Sequence, residues 1–132
     1  QAVSCNRLAQ ELQLLPQVES VNYTALETNP FYQISTSQFG SYPGAMLTFD
    51  LPSREVCFRF MNQLKLVRRA TNLFDNKTLA IHPASTIYGT FTEEQRQRMD
   101  ISQKTIRLSV GLEDVNDLLE DICESLKSIA PL

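Results

Sequence analysis

The sequence predicts an α+β fold: a mostly antiparallel four- to five-stranded sheet with helices on one face. Three observations lead there. In Thr105-Ile-Arg-Leu-Ser-Val110, the apolar residues Ile106, Leu108 and Val110 alternate with Thr105, Arg107 and Ser109, the period of a strand with one apolar face. Directly after it, Val115, Leu118, Leu119, Ile122, Leu126 and Ile129 recur at intervals of three and four, the stripe of an amphipathic helix. Several other short strand and helix patterns lie along the chain without regular βαβ alternation, which argues against a parallel doubly wound sheet.

In chain order, Cys5, Leu8, Ala9, Leu12 and Leu15 share a helical face that Pro16 ends. Residues 18–23 predict a short strand. Asn29-Pro30 predicts a helix start with Asn as cap and Pro in the first position, ending before Gly40. Beyond Gly44, the residues Ala45, Leu47, Phe49 and Leu51 point one way and Met46, Thr48 and Asp50 the other. Ser53 caps a helix whose buried stripe is Val56, Cys57, Phe60, Met61 and Leu64. Residues 66–72 are expected to be extended, and Asp75-Asn76 to turn. Leu79 and Ile81 alternate in a strand that His82-Pro83 terminates. Thr92-Glu-Glu-Gln95 has the form of a capping box opening a short exposed helix through Met99. Gly111 breaks the 105–110 strand, and Asp114 caps the last helix, whose first turns carry Glu113, Asp117, Glu120 and Asp121 as a solvated acidic face.

The composition sets limits. The chain has 132 residues, enough for one domain with one core. Its net charge is −3, and Arg68-Arg69 is too small a basic spot for a nucleic-acid footprint, so no nucleic-acid partner is expected. No apolar run reaches membrane-spanning length, and no secretory leader is expected from the opening residues. Cys5, Cys57 and Cys123 are odd in number and form no CxxC pair, so reduced thiols, a cytoplasmic location and no metal site are expected. Cys57 and Cys123 are expected to resist alkylation. The first residue is Gln1 rather than Met, which fits a piece of a longer protein.

The residues alone give little chemistry. His82, the one histidine, reads as structural. Arg107 stands between Thr105 and Ser109 on the face that the helices leave uncovered, where exposed apolar area is expected to favour self-association. A planar guanidinium fork suits a carboxylate, but a solvent-facing strand arginine fits the same pattern.

Taken together, several segments carry a resemblance. They are residues 18–23 before Asn29-Pro30, Pro43-Gly-Ala-Met-Leu-Thr-Phe49, Leu79-Ala-Ile-His-Pro-Ala-Ser-Thr86, Thr92-Glu-Glu-Gln-Arg96, Ile101-Ser102, and Ile106-Arg-Leu-Ser-Val-Gly-Leu-Glu-Asp-Val-Asn-Asp-Leu-Leu119. In that order and spacing they resemble the C-terminal small domain of the Cys/Met-metabolism family of pyridoxal-phosphate (PLP) enzymes, a fold-type I group. The family includes O-acetylhomoserine sulfhydrylase, methionine γ-lyase and the cystathionine enzymes.

The resemblance implies that residues 1–132 are the small domain of a longer enzyme. PLP, its Schiff-base lysine and its phosphate contacts would belong to a large N-terminal domain absent from this chain, and Lys65, Lys77, Lys104 and Lys127 match no such motif. It implies that Arg107 binds the substrate's α-carboxylate and that Asn72 makes a weaker second contact. Asn72-Leu73-Phe74 departs from the lyases' Ser-Leu-Gly in its first and third residues. Asn72 points toward the sulfhydrylase branch, and Phe74 stands where glycine is usual. The expected function is O-acetylhomoserine sulfhydrylation by γ-replacement, with methionine γ-lyase or a cystathionine enzyme as alternatives and a non-catalytic interaction domain as another. The isolated chain is expected to be inactive, and the full-length protein to be a homotetramer taking a small amino acid.

Overall fold

The computed structural model of the chain describes residues 1–40, 42–69 and 76–129. Among the described residues, five helices and five strands follow one another as α1 (Ala2–Leu12), β1 (Ser20–Asn22), α2 (Tyr32–Phe39), β2 (Met46–Asp50), α3 (Arg54–Gln63), β3 (Arg68–Arg69), β4 (Leu79–Ile81), α4 (Glu93–Arg98), β5 (Thr105–Ser109) and α5 (Val115–Ser128). The strands form one sheet in the order β1-β2-β5-β4-β3. Every pairing is antiparallel except β3 with β4. This is the expected α+β architecture, with one parallel pair added at an edge.

Strand β5 is central because its apolar residues meet partners on both sides. Leu108 pairs with Leu47 of β2 and with Ala80 of β4, and Ile106 pairs with Phe49. All five are buried, and their face is covered by α1, α3 and α5. On α5 the predicted stripe is the buried one: Leu118, Ile122, Leu126 and Ile129 sit in the core, with Val115 and Leu119 at its margin. Full burial of one such side chain contributes about 1.5–3 kcal/mol, so the stripe holds the helix on the sheet far more firmly than helix propensity does. Asp114 caps it as expected, accepting from Asn116 N at 2.8 Å and Asp117 N at 3.3 Å. On α3, Ser53 accepts from Val56 N, and Phe60 meets Phe49 edge-on at 5.7 Å.

Some expectations are corrected. Asn29 does not cap α2, whose N-cap is Phe31 with no side-chain cap. The Asn29 side chain is already committed: Oδ1 accepts from Phe31 N at 2.9 Å, an Asx turn, and Nδ2 donates to Asn22 Oδ1 at 2.8 Å, tying the turn to β1. The strand expected over 18–23 ladders only at Ser20–Asn22. The second sheet face is not an apolar patch. Its residues on β1, β2 and β5 are Ser20, Asn22, Met46, Thr48, Asp50, Thr105, Arg107 and Ser109, mostly polar. Its apolar members on β4, Leu79 and Ile81, are buried. The run Leu-Ala-Ile is apolar on both faces, which marks a strand covered on both sides. Cys5 and Cys57 are buried, but Cys123 is only half-buried, at the edge of the α5 stripe. Burial, reinforced by nearby Asp50, pushes the Cys57 thiol up to about 12, and its Sγ donates to Lys104 O at 3.2 Å.

Candidate functional site

The open sheet face forms the floor of a cavity of about 510 Å³, lined by Ser20, Asn22, Thr48, Asp50, Thr105 and Arg107 from the strands, with Pro83, Tyr88, Asp100, Ile101 and Ser102 opposite. Register places Arg107 in a row across the sheet: Asn22 pairs with Thr48, Thr48 with Arg107, and Arg107 with Ile81. Arg107 is half-buried, with its Nε fully covered, while its strand neighbours Ile106 and Leu108 are buried on the opposite face. Among the described residues lining the cavity it is the single cation. The nearest acid in register terms, Asp50, accepts a hydrogen bond from Thr105 Oγ1 at 2.6 Å. Asn72, the other residue implicated by sequence, lies outside the described residues, as do Leu73 and Phe74.

Two polar ties fix the strands beneath this floor, and neither is readable as a motif. Beyond β5 the chain passes under residues 76–78 so closely that a Cβ on Gly111 would meet Asn76 O at 2.4 Å and Lys77 C at 2.5 Å. Glycine is therefore required there for close approach, beyond its role in ending the strand. Gly111 N donates to Thr78 Oγ1 at 2.9 Å, and Thr78 donates through N and Oγ1 to Glu113 at 2.8 and 2.7 Å. The second tie is Asp121 of α5. Expected on a solvated face, it is instead 8% exposed, its carboxylate accepting from Lys65 N, Leu66 N and Val67 N, each at 2.9 Å.

The opposite wall is an excursion over residues 83–104 that carries α4. The capping box is present in both directions between Thr92 and Gln95, but no residue of α4 is buried. The excursion is closed at its base by His82, which is 1% exposed. Nε2 lies 2.7 Å from Gln103 O, a pure acceptor, so Nε2 carries the proton, and Nδ1, 2.7 Å from Ser85 Oγ, accepts from that hydroxyl. The ring leans on Phe58 at 4.9 Å. The structural reading of His82 therefore stands, and its partners on each side make it a clamp.

Burial, opposed by the Gln103 carbonyl and aided by Arg54, lowers the His82 pKa. The unfolded chain then binds a proton that the folded chain refuses, so stability rises with pH across that window. It is full above about pH 6.5 and falls as pH drops below it. The expected result is a urea midpoint that declines from about pH 7 to about pH 5, with a shallower slope in His82→Gln. Parallel slopes for the two proteins would remove the clamp from the account.

A model of the family described as Cys/Met metabolism PLP-dependent enzyme matches residues 1–127. The chain is 44% identical over 124 residues to an L-methionine gamma-lyase of Pseudomonas putida, covering 93% of this chain and 31% of that enzyme. It is 42% identical over 112 residues to O-acetyl-L-homoserine sulfhydrylase 1 of Thermus thermophilus, covering 84% of this chain and 27% of that enzyme. Among solved structures, a putative O-acetylhomoserine (thiol)-lyase from Campylobacter jejuni superposes with a TM-score of 0.91 at 31% identity, over 96% of this chain and 30% of that one, and it carries a pyridoxyl-lysine monophosphate. The chain thus spans about a third of the length of the relatives it matches.

Proposed function

The chain belongs to the Cys/Met-metabolism family of PLP-dependent enzymes, and on that premise we propose that the full-length protein is an O-acetylhomoserine sulfhydrylase whose Arg107 holds the substrate's α-carboxylate. In this reading residues 1–132 are its C-terminal small domain, and the whole enzyme is a cytoplasmic homotetramer. The observation that supports it is the place of Arg107: a half-buried fork donor on the central strand and, among the described residues lining the cavity, its single cation. A guanidinium there takes both oxygens of a carboxylate and fixes the orientation of the Cα substituents, which can contribute several kcal/mol to a barrier. Asn72 is proposed as a second, neutral contact to the same end of the substrate.

Among the described residues no lysine lines the cavity, and Lys104, the nearest in sequence to β5, is half-exposed and pairs with Glu19 at 3.5 Å. We therefore place the cofactor and its electron-sink chemistry in the remainder of the enzyme. A second reading, methionine γ-lyase, is favoured by the 44% identity to the Pseudomonas enzyme.

Full-length protein assayed with O-acetylhomoserine plus sulfide, against methionine alone, decides between them. The expected result is release of acetate and formation of homocysteine as the faster reaction. Faster breakdown of methionine without added sulfide assigns the lyase. The isolated chain, mixed with PLP and reduced with borohydride, is expected to give no stoichiometric adduct. One lysine labelled to completion would contradict the division of labour proposed.

A further inference from the structure

The excursion over residues 83–104 presents one side chain to the Arg107 cavity in a held position. We propose that Tyr88 is a specificity-determining residue whose phenol hydrogen-bonds an oxygen on the substrate's side chain while Arg107 holds the carboxylate. This rests on the carboxylate role proposed above.

None of residues 85–105 is fully buried, so the excursion has no apolar core to fix its shape. A segment of that kind belongs to the low-stability end of a fold. Tyr88 is nonetheless pinned. Its N donates to Pro83 O at 3.0 Å, and its O accepts from Arg96 Nη1 at 2.9 Å. Arg96 also donates to Phe91 O and pairs with Glu93 at 3.2 Å, and its side chain is only 13% exposed. A covered arginine takes the place of a core and fixes the turn from Tyr88 to Phe91. The Tyr88 ring then rests on Phe91, edge to face at 5.8 Å. Behind the turn, His82 holds both ends of the excursion through Ser85 and Gln103.

The Tyr88 hydroxyl makes no hydrogen bond to the described residues, although the residue is half-buried and lines the same cavity as Arg107. A covered tyrosine hydroxyl usually finds a hydrogen-bond partner, and among the described residues this one has none. With backbone and ring fixed, the hydroxyl is left for a ligand. An amino acid held by its carboxylate on Arg107 still extends a side chain into the cavity. A phenol donates well to an ester oxygen and poorly to a thioether sulfur, which is a weak acceptor. Tyr88 therefore favours an amino acid with an oxygen-ester side chain over a thioether of similar length.

The test uses full-length enzyme with its cofactor and the variant Tyr88→Phe, which keeps the ring and its contact with Phe91. The efficiency with O-acetylhomoserine plus sulfide is expected to fall about three- to tenfold, the range of one neutral hydrogen bond. The fall with methionine should be smaller, so the ratio of the two efficiencies drops by about threefold or more. A merely structural tyrosine would lower both together. A ratio within about twofold of the unsubstituted enzyme, with Arg107→Lys still impaired on both substrates, overturns the role of Tyr88 alone. Full efficiency in Arg107→Lys removes the carboxylate reading and this proposal with it.

Discussion

Asp121→Ala is expected to unfold the domain under conditions where the native chain is folded. Where α3 ends, the chain turns at Leu64 and sends three successive N–H groups, those of residues 65–67, toward α5. They have left a helix and have not yet entered β3, so no ladder satisfies them. The Asp121 carboxylate takes all three at 2.9 Å. Alanine leaves them unpaired and opens space between α3 and α5. Hydrogen bonds to a charged group are worth about 1.5–3 kcal/mol each before non-additivity, so a total loss of about 3–5 kcal/mol is expected, against the roughly 5–15 kcal/mol that holds a domain together. Asp121→Asn keeps the size but turns an amide NH₂ toward a donor, and should cost about half as much. Urea unfolding of the three proteins at pH 7 measures this, with the midpoint shifting and the m-value constant. A midpoint for Asp121→Ala that corresponds to less than about 1 kcal/mol would show that water satisfies these groups as well as the carboxylate does.

Why Asp121 was not legible in the sequence separates the two kinds of information in this fold. Periodicity and caps are local. The alternation of 105–110, the 115–129 stripe, Ser53 and the Thr92–Gln95 box each declare themselves within a few residues, and each is realised. Asp121, Glu113 and His82 act on residues 21 to 56 positions away, on Gln103, Thr78 and 65–67. A charged residue in an acidic run, or a lone histidine, carries no sign of which distant backbone will come to meet it. Asn29 failed for the opposite reason: the cap signature was present, but β1 competed for the same side chain.

The site divides along the same line. Arg107 was legible as the polar member of an alternating strand, and the carboxylate role proposed for it comes from the resemblance. Its companions Asn22 and Thr48 were not, because strand order β1-β2-β5 is needed to put them in one row. Tyr88 was hidden for another reason. It sits in no periodic element, and its position depends on Arg96, eight residues later, folding back onto its carbonyl.

Arg107→Lys in the full-length enzyme is expected to lower catalytic efficiency with every amino-acid substrate by about ten- to a hundredfold, or roughly 1.5–3 kcal/mol of lost charge-assisted contact. The change keeps the charge and the stem, and β5 is held from the other side by Ile106 and Leu108, so the fold should not answer for the loss. What disappears is the planar fork. Lysine offers a point charge that satisfies one carboxylate oxygen at a time and lets the substrate pivot about it. The penalty should therefore appear in kcat as well as KM, since a carboxylate free to swing no longer fixes the Cα–H bond against the reacting centre. Cofactor absorbance should stay at the unsubstituted level, because no described residue lining this cavity is a lysine and the cofactor is proposed to be held elsewhere. Asn72→Ala should show the same pattern more weakly, through the loss of a neutral hydrogen bond. Steady-state kinetics and absorbance spectra of both variants decide the matter. If Arg107→Lys retained efficiency within about twofold, the guanidinium would bind nothing in catalysis, and Arg107 would be a strand arginine whose cavity serves only to seat the rest of the enzyme.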